Sequence, residues 1–219
     1  MLLPELVACN VIVTNGSGLF GPSLGDFALP AILYFAKDLR CMIRNQMSGV
    51  WKQFAVTMVS GQTLGIVGYG SIGRAVAAGA CARGMNVLGH RRVSQTSSED
   101  SLIAKIYKSE ELLEMLSRCD YVVVTVPLPE RTRGLIGDTE FAVMKKNAVV
   151  INVGRGPTVE ERAMIKALSQ RRIRGAALDV FDQEPLPQGI LFTLWRMSCC
   201  PLTALTTPRL AGQRHAILS

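Results

Sequence analysis

The sequence predicts an α/β protein organised around an open parallel sheet. Two patterns carry that expectation. From Thr63 to Asp179, short continuously apolar runs alternate with stretches of helical period, the pattern of strands buried on both faces by helices. A glycine-rich turn, Gly68-Tyr-Gly70-Ser-Ile-Gly73, joins the first of these strands to the first of these helices. Composition agrees: 48% of the 219 residues are hydrophobic and 19% charged, which excludes a disordered chain. No apolar run reaches the length of a bilayer span, so no membrane partner is expected. The opening Met1-Leu-Leu-Pro-Glu-Leu lacks a basic segment and carries Glu5, which argues against a secretory leader.

Ahead of the sheet, Asn10-Val-Ile-Val-Thr14 reads as a short buried strand and Asn15-Gly-Ser-Gly18 as a turn. Phe27, Ala28, Ala31, Ile32, Phe35, Leu39, Met42 and Ile43 then keep helical spacing over 24–43. Ser23 is the expected N-cap, Asp26 suits the first turn, and Pro30 should kink the helix. Residues 45–60 read as an irregular arm. The alternating region gives strand 64–68, helix 71–84, strand 86–90, helix 108–117 and strand 120–125. Helix 137–145 and strand 148–152 follow, then a Thr158-Val-Glu-Glu161 capping box opening helix 159–171, then strand 175–179. After Pro187 the logic changes: residues 188–219 contain no Asp or Glu and keep no clear period. Three parts result, 1–60, 61–187 and 188–219.

Net charge is +7, from 24 Lys and Arg against 17 Asp and Glu. That excess suits an anionic ligand. A nucleic acid is the rival partner, disfavoured because no Lys/Arg run and no aromatic-interleaved basic stripe is present. The six cysteines form no C-x-x-C pair and there are only two histidines, His90 and His215, so no metal site is expected. Buried reduced thiols in a cytoplasmic setting are the simpler reading.

The chemistry concentrates in four motifs. In the glycine turn, Gly68 permits a tight bend, Gly70 lets a pyrophosphate approach the backbone, and Gly73 lets the helix sit close to the sheet. The amides of Ser71 and Ile72 belong to a helix N-terminus, which presents free N–H groups to phosphates. In this strand–turn–helix setting the motif specifies a dinucleotide and a Rossmann-type sheet. About 18 residues beyond Gly73, where an NAD site places an acid for the ribose 2′-hydroxyl, stand Arg91 and Arg92. Two guanidinium groups suit a 2′-phosphate, so NADP(H) is preferred over NAD(H); a solvated basic turn is the simpler alternative. The third motif is Ile151-Asn-Val-Gly-Arg155-Gly156 and the fourth Leu178-Asp179-Val-Phe-Asp-Gln-Glu184-Pro185. Both lie beyond the carboxyl ends of strands, where ligands of open α/β sheets bind. Taken singly, Arg155 could equally make a structural ion pair and Glu184 a turn contact.

Together these motifs, with Val126-Pro-Leu-Pro129 and Thr132-Arg-Gly-Leu-Ile136, resemble the D-isomer-specific 2-hydroxyacid dehydrogenases over about Asn10 to Pro187. A weaker likeness points to the glyoxylate/hydroxypyruvate reductases within that family. The resemblance implies hydride exchange between a nicotinamide and a 2-keto or 2-hydroxy acid. It implies that Arg155 holds the substrate carboxylate, that Glu184 is the acid which raises the pKa of a catalytic histidine, and that Asp179 anchors the nicotinamide carboxamide. It adds Pro127, Thr132, Val153 and Gly154 to the cofactor-binding set. It makes helix 24–43 a dimerisation helix, hence a homodimer, and it leaves the substrate domain largely absent.

The chain departs from that pattern where the proton-donating histidine should stand. Thr203 occupies that place, and Arg209 in Thr207-Pro-Arg209 cannot donate a proton at neutral pH. Read one frame over from Gly189-Ile190, permitted codons spell His-Pro-Phe-Tyr-Thr-Met-Glu-Asn-Val-Leu-Leu-Ser-Pro-His, an ending like the family's. Residues from about 189 onward are therefore expected to be an out-of-frame reading, from splicing or a gene-model error. Two functional expectations stand side by side: an NAD(P)-dependent 2-hydroxyacid oxidoreductase, and a catalytically inactive dinucleotide-binding module.

Overall fold

A computed structural model describes residues 18–92, 100–127, 130–184 and 199–201. The strand expected at 10–14, Leu128 and Pro129 of the 126–129 loop and nearly all of the 188–219 segment lie outside the described residues.

Helix α1 (Gly21–Lys37) and helix α2 (Leu39–Met47) precede the sheet. The alternation then runs β1 (Thr63–Val67), α3 (Ser71–Cys81), β2 (Asn86–His90), β3 (Lys105–Tyr107), α4 (Leu112–Arg118) and β4 (Tyr121–Val124). It continues through α5 (Asp138–Val143), β5 (Val149–Asn152), α6 (Glu161–Ser169), β6 (Gly175–Leu178) and β7 (Cys199–Pro201). All seven strands pair in parallel, in the order β3-β2-β1-β4-β5-β6-β7. The order reverses at β1, and in such sheets the crevice at that switch point receives the ligand.

The core has two layers. Above one face, α4, α5 and α6 bury Leu112, Met115, Leu116, Phe141, Met164 and Leu168 against Val67, Val122, Val124 and Val150. Below the other, α1 and α3 cover Leu64, Ile66, Val123 and Ile151. Alternation of β1 residues between the two clusters explains why the strand reads as a continuous apolar run. Helix α1 lies close on α3 because the contact is built of small residues. A Cβ added at Gly25 would stand 3.3 Å from the Ala75 Cβ, and one at Gly21 3.4 Å from the Ser71 carbonyl.

Several local expectations are corrected. The front helix begins at Gly21, not 24; neither Ser23 nor Asp26 serves its N-terminus, whose first positions include Pro22 with φ already suited to a helix. The helix runs on through Pro30 and is interrupted instead at Asp38, which adopts a left-handed conformation (φ 48°) and caps α2 by accepting the Cys41 N–H at 3.3 Å. The Thr158 capping box does not form. Its hydroxyl is committed to the Arg155 carbonyl at 2.6 Å, and α6 starts after Glu160 without a side-chain cap. Strand β3 was not expected, the helix expected over 108–117 opens with a 3₁₀ turn at Ser109–Glu111, and three residues of the 188–219 segment extend the sheet as β7. Of the described thiols, Cys119 is buried, which pushes it up to about 12, whereas Cys41 and Cys81 are only half-buried.

Candidate functional site

The carboxyl ends of β1, β2, β4 and β5 open onto one cavity of about 790 Å³. Its floor is the glycine turn. Gly68 has φ +98°, and a Cβ there would lie 2.6 Å from Val126 Cγ1, so only glycine fits. Gly73 carries the close helix–sheet contact: its Cβ would approach Ile66 Cγ2 to 2.8 Å. Gly70 differs. A Cβ there would meet nothing nearer than the Gly68 carbonyl at 3.9 Å, so the missing side chain leaves open space at the cavity floor. Helix α3 starts at this point with no side-chain cap, and its first-turn amides have no partner within the helix. Space over Gly70, uncapped amides and the dipole end fit a pyrophosphate.

The turn is held from both sides. The His90 carbonyl at the tip of β2 accepts the N–H groups of Gly68 (2.9 Å) and Tyr69 (2.8 Å). From β4, Thr125 donates its hydroxyl to the Gly68 carbonyl at 2.7 Å. Tyr69 donates its hydroxyl to Asp100 at 2.7 Å, and Asp100 also pairs with Arg74 on α3. The hydrogen bond from Tyr69 holds the Asp100 carboxyl below its usual range, and burial raises the Tyr69 phenol.

Of the residues singled out from sequence, Gly68, Gly70, Ser71 and Ile72 line the floor, and Arg91 and Arg92 line the end beyond β2. Pro127, Thr132, Val153, Gly154 and Arg155 line the opposite end. Thr132 donates its hydroxyl to the Pro127 carbonyl at 2.7 Å and so folds that loop. Gly154 is pressed against the end of β4, where a Cβ would sit 2.9 Å from the Val126 carbonyl. Arg155 is exposed. Its guanidinium donates to the Gly154 carbonyl at 2.7 Å, and its own carbonyl accepts from Asn152 Nδ2 at 3.0 Å. Gly73 lies behind the floor, buried under the helix. Asp179 and Glu184 are not in the cavity wall. Glu184 accepts the Phe181 N–H at 2.9 Å, and burial followed by the charge of Glu184 pushes the Asp179 carboxyl up. Val126 and Leu135, from the two loop motifs, also line the cavity, and so do residues given no role from sequence, Tyr69, His90 and Thr125 among them. Their positions at strand ends were the available signal.

Comparison with known proteins agrees with this geometry. Residues 29–205 match the family described as D-isomer specific 2-hydroxyacid dehydrogenase, NAD binding domain. The chain is 36% identical over 206 residues to a glyoxylate reductase of Thermococcus gammatolerans, covering 90% of this chain and 61% of that one. It is 33% identical to a D-3-phosphoglycerate dehydrogenase of Methanocaldococcus jannaschii, covering 84% of this chain and 35% of that one. Among solved structures, a D-isomer specific 2-hydroxyacid dehydrogenase of Xanthobacter autotrophicus in complex with NADPH and MES superposes with a TM-score of 0.79 at 32% identity, over 94% of this chain and 86% of that one. An NADPH-dependent glyoxylate/hydroxypyruvate reductase of Sinorhizobium meliloti superposes with a TM-score of 0.74 at 26% identity, over 84% and 93% of the two chains. The chain thus spans about three fifths of the length of the glyoxylate reductase it matches. Sheet order, glycine turn and match over most of the chain lead to one conclusion: the chain belongs to the D-isomer-specific 2-hydroxyacid dehydrogenase family.

Proposed function

We propose that the chain is the coenzyme-binding part of an NAD(P)-dependent oxidoreductase that interconverts a 2-keto acid and its D-2-hydroxy acid, with NADPH preferred. The observation that carries the reading is a single cavity whose floor is the glycine turn and whose two ends are Arg91–Arg92 and Arg155. Gly68, Gly70 and Gly73 shape the pyrophosphate seat, with amides from Ser71 and Ile72. Arg91 and Arg92 offer forked donors to a ribose 2′-phosphate. Pro127, Thr132, Val153, Gly154 and Asp179 are assigned to the nicotinamide half. A bound nicotinamide supplies or accepts the hydride. Arg155, exposed at the cavity rim, would hold the substrate carboxylate and polarise the keto oxygen; Glu184 is assigned as its acidic companion.

A second reading, a dinucleotide-binding module without turnover, is favoured by one observation. Thr203 stands where the family resemblance places the proton-donating histidine, and His90 is buried at the end of β2. We read residues 61–187 as the dinucleotide unit, 1–60 as a connecting strand, helix and arm, and 188–219 as an out-of-frame segment, which sequencing of the transcript tests. The exposed apolar residues of α2 and the arm that follows are assigned to contact with a second copy. The free thiols of Cys41, Cys81 and Cys119, among the described residues, suit a cytoplasmic setting.

The test mixes purified chain with NADPH or NADH and with glyoxylate or hydroxypyruvate. Oxidation of NADPH supports the oxidoreductase; saturable quenching of protein fluorescence without turnover supports the module. Replacing Arg91 and Arg92 together by Ala is expected to weaken NADPH by about tenfold or more, the worth of one charge-assisted contact, and NADH little. Equal weakening of both overturns the cofactor preference.

A further inference from the structure

His90 closes β2 at the switch point of the sheet and is 6% exposed, yet neither ring nitrogen has a hydrogen-bond partner among the described residues. A buried imidazole that forgoes both its hydrogen bonds loses about 1–3 kcal/mol per unmet group relative to water. Natural proteins keep such a group where something else satisfies it. Its surroundings show what that could be. Across the sheet register His90 stands between Val67 on β1 and Tyr107 on β3, both buried, and it belongs to the lining of the same cavity as the glycine turn, Arg91 and Arg92. Val67 offers it no polar atom.

The titratable groups on the elements around it are few. Tyr107 comes from β3, and Glu110 from the 3₁₀ turn of Ser109–Glu111 that follows. Glu111 on that turn already accepts the Lys108 N–H at 2.8 Å. Arg91 and Arg92 follow on its own strand end. Burial holds the imidazole below the ordinary histidine range, opposed only in part by Glu110. A ring kept neutral in this way beside two guanidinium groups changes state if a dianion enters, because an opposite charge within about 4–6 Å favours the protonated form by ~1–3 pH units.

We propose that His90 is a ligand-facing residue of the ribose end of this cavity, taking up a proton when the bound dinucleotide carries a 2′-phosphate and remaining neutral when it carries a 2′-hydroxyl. The inference rests on the NADP(H) reading above and deepens it. Arg91 and Arg92 supply permanent charge. His90 supplies a third, conditional charge, so the preference for the phosphorylated coenzyme strengthens as pH falls. The step is a proton transfer alone: hydronium gives up an O–H bond and a ring nitrogen gains an N–H bond as the phosphate docks, with no change of oxidation state.

The two-histidine composition makes a direct test possible. In the full chain, the ring C–H resonances of His90 and His215 are followed by NMR across pH 5–8.5 (a range bracketing the ordinary histidine value of about 6.5), with His215→Asn giving the assignment. The expected result is a low His90 titration midpoint in the free protein, raised by about one pH unit or more with NADP+ and unmoved with NAD+. Affinities give the second readout. Between the two midpoints, the ratio of NADPH to NADH affinity should fall about tenfold per pH unit in the wild-type chain, relative to His90→Asn. The phosphate's own ionisation near pH 6 runs the opposite way and is common to both proteins, so the difference between them isolates His90. Tight NADPH binding with an unmoved His90 midpoint, or identical pH slopes in wild type and His90→Asn, overturns the inference and leaves the NADP(H) reading standing. NADPH no tighter than NADH at any pH overturns both. The NMR arm uses no His90 variant, so a misfolded His90→Asn does not protect the proposal.

Discussion

At the residue scale, the glycines of the turn separate two demands that one motif conceals. Gly68 is required by the fold: positive φ and a Cβ 2.6 Å from Val126 Cγ1 leave an added methyl nowhere to go. Gly70 is in extended backbone (φ −119°) with open space in front of it, so the fold tolerates a side chain there and the proposed pyrophosphate is what would not. Gly68→Ala is therefore expected to lower stability by roughly 1–3 kcal/mol, read as a shift in urea midpoint. Gly70→Val should leave that midpoint within error while weakening dinucleotide binding by about tenfold or more, read by fluorescence titration. The reverse pattern would mean the cavity floor is not the pyrophosphate seat. The tight bend at Gly68 and the close helix–sheet contact at Gly73 were legible in the sequence, because neither position leaves room for a side chain. Tyr69, His90 and Thr125 were not. Their roles depend on which strand ends meet in space, and pairing of β1 with β2 and β4 is not written in any one of those segments.

At the element scale, strands were easier to read than helix ends. A fully buried parallel strand must be apolar throughout, so β1, β2, β4, β5 and β6 fall within a residue or so of their expected bounds at either end. Lys105–Tyr107 leaves no mark in the sequence, because three residues with an exposed lysine first carry no periodicity. The helix pair α1–α2 was read as one because its apolar spacing continues through Asp38; the break comes from that residue's left-handed backbone, which Asp tolerates through its short side chain. Thr158 shows the same limit from the other side: the capping pattern is present, but the hydroxyl has a better partner in the Arg155 carbonyl. Tight helix packing can be tested. Gly25 of α1 faces Ala75 of α3, so Gly25→Leu must separate α1 from the coenzyme helix. A destabilisation of about 1–3 kcal/mol is expected. An unchanged urea midpoint would show that α1 is not seated on α3 in solution.

At the scale of the whole molecule, two-sided burial ends at the front. The sheet is covered above and below, but the region after α1 carries large apolar side chains in solvent: Trp51 is 96% and Met47 83% exposed, with Met58 and Val50 near them in sequence. Large exposed apolar side chains are the material of interaction sites, and the partner proposed for these is a second copy. Sedimentation equilibrium at micromolar concentration is expected to give twice the chain mass, and Met47→Glu with Trp51→Glu to give the chain mass. A wild-type monomer would remove the dimer.

The double acceptance of the Gly68 and Tyr69 amides by the His90 carbonyl has one more consequence. The glycine turn, proposed above to meet the diphosphate, is braced by neighbouring strand ends before any guest arrives. Its backbone entropy is surrendered during folding, not at encounter. Capture is then left to the side chains at the rim, and in the proposed reading discrimination between coenzymes falls to three adjacent residues at the tip of one strand.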